Sequence, residues 1–193
     1  GIDIGGTFTD IVLLATDGSY WTKKVSSTPN NYAVGIIDGV TQILKERGIP
    51  GNAIGNIIHG TTVASNTILE NKGAKTALIT TAGFRDVLEL RRLRIPQLYS
   101  VMYEPPTPLV ERRLRIEIDE RIGAEGEILT SLDEQDVDSA LKRIEEEGVQ
   151  SVAVCLIHSY RNPDHERKVG QIVRQKLPQI YCSLSVDVLP EIR

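Results

Sequence analysis

The sequence predicts an α/β fold: a mixed sheet with flanking helices at the start of the chain, an irregular insertion, and then a second, smaller α/β lobe. Three observations predict it. Short β-branched runs open the chain with turn residues between them, as in a strand meander. Stretches of 3.6-residue apolar period then alternate with further short apolar runs. Between the two regular regions, Pro96, Pro105, Pro106 and Pro108 and the basic residues Arg91, Arg92 and Arg94 break the pattern.

In order, Gly1 to Ile4, Ile11 to Ala15 and Tyr20 to Ser26 read as strands, with Asp17-Gly18 as the hairpin turn between the last two. A helix follows, with Thr28 as N-cap, Pro29 at its first position, and a stripe of Ala33, Val34, Ile36, Ile37, Val40, Ile43 and Leu44 ending at Gly48. Asn56 to His59 reads as a strand, about Thr62 to Lys72 as a helix stopped by Gly73, and Lys75 to Thr80 as another strand. That order, β-β-β-α-β-α-β over residues 1–83, predicts a ribonuclease H-like core. Residues 84–130 read as the insertion, with a short ribbon near Leu114 to Glu127. In the 131–193 segment, Ser131 and Glu134 form a capping box for a helix carrying Val137, Ala140, Leu141 and Ile144. Val152 to Ile157 reads as a buried strand, Asn162-Pro163 starts a helix through Leu177, and Tyr181 to Val186 is the last strand.

At 193 residues the chain can bury one good core, or a core with a smaller lobe beside it. Its net charge of −4 and pI near 5.5 offer no broad attraction to nucleic acid or to an anionic membrane. No apolar run approaches the roughly 20 residues that span a bilayer, and no signal peptide opens the chain, so a cytoplasmic setting is expected. Cys155 and Cys182 sit in apolar runs without metal-ligand or CxxC spacing and read as buried thiols. The chain opens inside an expected strand and without Met, as an excised domain would.

The first ten residues, GIDIGGTFTD, hold the densest chemistry. With Ile2 and Ile4 pointing into a core, alternation puts the Asp3 carboxylate on the other face, where it could hold a metal-bound water. Gly5 and Gly6 allow positive φ and let a phosphate approach backbone N–H groups. Thr7 and Thr9 add hydroxyl donors, and Asp10 adds a second carboxylate. Phosphate with a divalent cation is the natural ligand; an ordinary glycine-rich hairpin is the plain alternative. Neither GxxxxGK[ST] nor GxGxxG occurs, and both need a helix where this chain continues into the strand Ile11 to Leu14.

A second constellation is HGTT at 59–62, between the C-terminal end of a strand and a helix start. The Gly60 backbone, the Thr61 and Thr62 hydroxyls and the first helical N–H groups could receive an oxygen, with His59 as proton carrier or electrophile and Asn66 one turn on; local capping explains the same residues. His158 and Ser159 close a buried strand, lack the third member of a triad, and read as loop-fixing. His165 reads as a solvated helix-start residue without a role. Arg85, Asp86, Arg91, Arg92 and Arg94 could hold an acidic substrate or partner, or form a solvated surface.

GIDIGGTFTDIVLL, HGTTVASNTILENKGAKTALITTAGFRDVLEL at 59–90, VAVCLIHSYRNPDHE at 152–166 and the terminal SLSVDVLPEIR together resemble the N-terminal region of the hydantoinase A and 5-oxoprolinase family, end to end. LRRLRIPQLY departs from the glycine-containing stretch usual in that family, which loosens any inference about substrate. The resemblance implies an actin, sugar kinase and Hsp70 type of ATPase using ATP and Mg2+ on cyclic amides such as hydantoins or 5-oxoproline. It also implies a longer polypeptide, whose remaining part supplies the rest of the nucleotide cleft, and a hydantoinase B-type partner subunit. Asp3 and Asp10 would then organise Mg2+, Gly5, Gly6, Thr7 and Thr9 would hold phosphate, and His59, Thr61 and Thr62 would sit nearer the transferred group. A ketone carboxylase subunit and a non-catalytic nucleotide-gated module are the alternatives; a nuclease fits less well, since the glycine turn has no purpose there.

Overall fold

A computed structural model describes residues 1–92 and 102–192. The chain divides into two compact units, Gly1–Lys72 and Gly73–Arg193, each with its own sheet. Arg94 and Pro96 of the predicted insertion lie outside the described residues.

In the first unit, β1 (Ile2–Ile4), β2 (Phe8–Leu14) and β3 (Tyr20–Ser26) form an antiparallel meander, and β4 (His59–Thr61) pairs parallel to β1, giving the order β3-β2-β1-β4. β4 begins where the sequence predicted the strand to end, because Asn56 to Ile58 run without strand pairing. Gly18 takes the left-handed turn (φ 86°) that the Asp17-Gly18 pattern predicts. The helix α1 (Tyr32–Arg47) starts three residues after Pro29; Asn31, not Thr28, caps it by accepting from the Ala33 N–H. Thr28 instead donates to the Asn31 carbonyl and accepts from the Gly35 N–H. Ile43 and Leu44 of α1 meet Ile2, Ile4 and Ile11 in the core, but Val34 and Ile37 of the predicted stripe are exposed. Two glycines occupy that helix face instead: a Cβ on Gly39 would lie 2.3 Å from Ile11 Cδ1, so α1 closes on the sheet where it has no side chain. A short helix, α2 (Val63–Leu69), ends this unit.

In the second unit, β5 (Thr76–Thr81) is a central strand, although the sequence reading placed it in the first lobe. It pairs parallel with two later strands, β6 (Arg115–Ile118) and β9 (Ser151–Cys155), and β10 (Tyr181–Leu184) extends β9, giving an all-parallel sheet of order β10-β9-β5-β6. The 84–130 segment is therefore only partly an insertion. It supplies β6 as well as α3 (Val87–Leu90) and an antiparallel ribbon of β7 (Arg121–Ile122) and β8 (Ile128–Thr130). Arg115, within the span read as a short ribbon, is buried, with its guanidinium on the Glu89 carboxylate and the Val110 carbonyl. The helices α4 (Glu134–Glu146) and α5 (Asp164–Lys176) follow, and α4 buries Val137, Ala140, Leu141 and Ile144 as its period predicts. Asp133 caps α4 by accepting from the Gln135 N–H, so the predicted Ser131 capping box does not form. After Leu184 the chain turns into one helical turn, α6 (Ser185–Val188), where the last strand was predicted to continue. No helix among the described residues is long and apolar enough to cross a membrane.

Candidate functional site

β1 buries Ile2 and Ile4 and leaves Asp3 exposed between them, as alternation predicts. Register extends this position across the sheet: Asp10 of β2 faces Asp3, Lys24 of β3 faces Asp10, and Gly60 of β4 faces Asp3 on its other side. Cross-strand partners share a face, so Lys24, Asp10, Asp3 and Gly60 form one row. Lys24 Nζ lies 3.0 Å from the Asp10 carboxylate and 5.3 Å from the Phe8 ring centroid. The Asp3 carboxylate makes no hydrogen bond or ion pair among the described residues. The row therefore places an uncommitted carboxylate between a neutralised one and a residue with no side chain. Lys24 escaped the sequence reading, because only strand register brings it beside Asp10.

The turn after β1 is held by the Gly5 N–H, which donates to the Phe8 carbonyl at 2.9 Å. A Cβ on Gly5 would stand 2.9 Å from the same oxygen, so close approach, rather than the expected positive φ, demands glycine here. The Gly6 and Thr7 N–H groups donate to no acceptor among the described residues. Thr9 does not join them. It is 1% exposed, on the core face, and its hydroxyl lies 2.9 Å from Ser27 Oγ. Ser27 donates to the Gly5 carbonyl at 2.7 Å, so Thr9 is the donor in that pair and both hydroxyls brace the hairpin.

The HGTT residues divide between two faces. His59 and Thr61 pair in register with Ile2 and Ile4, so they project from the face opposite Asp3, and the expected group of Asp3, His59 and Thr61 does not converge. Thr61 Oγ1 donates to the Ile4 carbonyl at 3.1 Å and accepts from the Val63 N–H at 3.2 Å, which is the local capping alternative. Thr62 and Asn66 are brought together, with Asn66 Nδ2 donating to Thr62 Oγ1 at 3.4 Å. Asn66 Nδ2 also lies 3.8 Å from where a Cβ on Gly6 would be, so this pair borders the glycine turn. The helix α2 has only seven residues, so the expected helix-terminus contribution to oxygen binding is weak.

In the second unit, His158 fixes its loop as expected: its backbone is left-handed (φ 58°), and Nδ1 lies 2.8 Å from the Ile122 carbonyl. His165 is not solvated. It is 8% exposed, with Nδ1 2.8 Å from Glu120 Oε2, and Glu120 also accepts from the Thr81 hydroxyl. The signal was its place four residues before Val169 and eight before Val173, on the buried face of α5, where a polar residue hid the apolar period. Cys155 and Cys182 are half-buried thiols, and burial pushes that of Cys182 up.

Among the described residues, three members of the arginine loop pair with residues outside it, Arg85 among them, whose Nε lies 3.6 Å from Glu117. Arg112 contacts both Asp86 oxygens, at 2.9 and 3.0 Å, and Arg91 donates to the Pro106 carbonyl. The Arg112 guanidinium holds the Asp86 carboxyl below the usual carboxylate range. A carboxyl depressed in the folded state stabilises it above the unfolded pKa of about 3.9, and that contribution disappears as pH falls through the lower folded value. Asp86→Asn is therefore expected to lower the urea midpoint at pH 6 and to reduce its fall toward pH 3. An unchanged acid limb would show that the pair contributes nothing.

Two carboxylates in one row suit Mg2+, which takes one or two protein carboxylates and completes its shell with water and phosphate oxygens. No group of three or more metal-ligating side chains occurs among the described residues, so a closed protein cage such as structural zinc requires is not formed there.

Residues 1–177 match the hydantoinase/oxoprolinase N-terminal region. The chain is 37% identical over 199 residues to caprolactamase subunit alpha of Pseudomonas jessenii, covering 100% of this chain and 29% of that protein. The crystal structure of that ATP-dependent caprolactamase is similar at a TM-score of 0.84, with 36% identity over 100% of this chain and 29% of that one. The 5-oxoprolinase of Saccharomyces cerevisiae is 32% identical over 232 residues, which cover 100% of this chain and 18% of that protein. The nucleotide-free structure of acetone carboxylase, an enzyme of ATP-dependent acetone carboxylation, is similar at a TM-score of 0.87 and 28% identity over 100% of this chain and 29% of that one. The chain thus spans under a third of the length of these relatives. With a match over 177 consecutive residues, this chain belongs to the family of hydantoinase/oxoprolinase N-terminal regions.

Proposed function

We propose that this chain is the phosphate-binding N-terminal part of an ATP-dependent enzyme that opens cyclic amides, of the hydantoinase or 5-oxoprolinase type, through a phosphorylated intermediate. The observation that carries the reading is Asp3, a carboxylate without a partner among the described residues, on the strand that leads into a turn with two unengaged N–H groups. The antiparallel meander with β4 parallel to β1 supports reading the first unit as ribonuclease H-like, the half of an actin-type ATPase that grips phosphate. The named activities of the caprolactamase and 5-oxoprolinase relatives support a cyclic amide substrate.

A cyclic amide carbonyl is a poor electrophile, and a phosphoryl group on its oxygen, supplied by ATP, opens its carbon to water. Such a transfer is catalysed mainly by positioning and charge neutralisation. In this chain the Gly6 and Thr7 N–H groups receive phosphate oxygens, with Thr62 and Asn66 bordering them. Asp3 and Asp10 would hold Mg2+, which neutralises phosphate charge; Lys24 balances Asp10. Thr9 and Thr61 keep the hairpin and β4 in place. The remaining polypeptide, a hydantoinase B-type subunit and a cytoplasmic setting belong to the same proposal; the name of the caprolactamase relative, a subunit alpha, supports the partner.

The test is ATP consumption by the complete protein with hydantoin, 5-oxoproline or caprolactam. Turnover stimulated by one of them is expected; ATP binding without stimulation by any substrate would favour a nucleotide-gated module instead. The likeness to acetone carboxylase favours a second reading, a ketone carboxylase. Consumption that requires a ketone and bicarbonate would select it.

A further inference from the structure

All four strands of the second unit's sheet run parallel, so their C-terminal ends share one edge, where ligands gather in open α/β sheets. Thr80, Thr81, Glu120 and Ser159, at the strand ends and the loops that follow them, and His165 and Glu166, in the first turn of α5, are all buried and hydrogen-bonded there. Thr81, Glu120 and His165 satisfy one another. Glu166, 0% exposed, accepts from the Leu156 N–H at 2.9 Å, the Val186 N–H at 2.9 Å and the Ser185 hydroxyl at 3.0 Å. Since the Ser185 proton points to Glu166, the Ser159 hydroxyl is the donor in its 3.3 Å contact with Ser185. That distance is beyond the usual O–H···O range, so the Ser159 proton is readily redirected to a better acceptor.

Beside this network lies a cavity of about 290 Å³, whose walls include Phe84, Arg121, Ile157, His158, Ser159 and Leu189. The Arg121 guanidinium carbon lies 4.5 Å over the Phe84 ring centroid and the side chain makes no ion pair among the described residues. A guanidinium held over a ring and without an ion pair has N–H donors to offer a carboxylate. We propose that this cavity is a binding site for a small monocarboxylate with an apolar body. Arg121 pairs with the carboxylate, Ser159 donates to it, and Phe84, Ile157 and Leu189 cover the hydrocarbon. A phosphate ester fits less well, because Arg121 is the only Lys or Arg among the described lining residues. Glu191 also lines the cavity and disfavours a second anionic group on the ligand. Ser159 needs no triad partner for this role; it holds a ligand rather than attacks one, while His158 keeps the loop in place.

Calorimetric titration of the complete protein with hexanoate and with hexanamide, in the absence of nucleotide, tests the site apart from the ATPase reading. Hexanoate is expected to bind at least about tenfold more tightly than hexanamide. Arg121→Met is expected to abolish that preference, Arg121→Lys to keep part of it, and Ser159→Ala to weaken hexanoate severalfold, each with an unchanged melting temperature. Equal binding of the two probes, hexanoate binding weaker than about 10 mM, or full binding by folded Arg121→Met would overturn the proposal.

Discussion

Asp3→Asn is expected to leave a folded protein whose substrate-stimulated ATP turnover falls by at least about 10²-fold, the loss typical when one preorganised charge-stabilising group is removed. The side chain is exposed and has no partner among the described residues, so the substitution breaks nothing the fold uses. It does remove a negative charge from the strand that leads into the phosphate turn. Asp10→Asn is a less clean test, because it also releases Lys24 from its ion pair. The decisive comparison is kcat alongside the melting temperature of the complete protein. Undiminished turnover by folded Asp3→Asn would remove the row from the mechanism and leave the hairpin as a turn.

Glu166→Ala is expected to destabilise the second unit by about 3–5 kcal/mol, the largest single effect in this part of the chain. The carboxylate is fully buried and gathers two backbone N–H groups and a hydroxyl from two segments: Leu156, just after β9, and Ser185 and Val186 in the first turn of α6. Its removal strands all three donors, and each unsatisfied buried donor costs about 1–3 kcal/mol. Glu166→Gln should recover only part of the loss, because its amide nitrogen would face an N–H. Urea unfolding of the two variants measures this. A loss below about 1 kcal/mol would mean that water satisfies the donors, and that Glu166 does not hold the strand ends together.

Much of the first unit was legible because its signals are local. Ile2 and Ile4 flanking Asp3, the Asp17-Gly18 turn and the α1 stop at Gly48 each follow from a few neighbouring residues, and the structure keeps them. The caps of α1 and α4 lie three and two residues beyond the predicted Thr28 and Ser131, and the larger misreadings involve partners distant in sequence. β5 looked like the end of the first lobe, yet its hydrogen bonds go to β6 and β9, 34 or more residues later. Parallel pairing leaves no turn signature to announce it. His165 looked solvated because polarity masked a helical period; its burial is offset by Glu120, and that of the adjacent Glu166 by the Ser185 hydroxyl and two backbone N–H groups that no spacing rule could supply.

By itself the sequence determined the α/β class, the three-strand opening, the resemblance to the hydantoinase and oxoprolinase family and the exposure of Asp3, since periodicity, turn chemistry and motif order are properties of contiguous residues. Only the tertiary structure decided which of the candidate groups share a face. Strand register put Lys24, Asp10, Asp3 and Gly60 in one row and sent His59 and Thr61 to the other side. The physical reason is the two-residue pleat of a strand: a side chain's face is set by its register with neighbouring strands, and a shift of one residue reverses it.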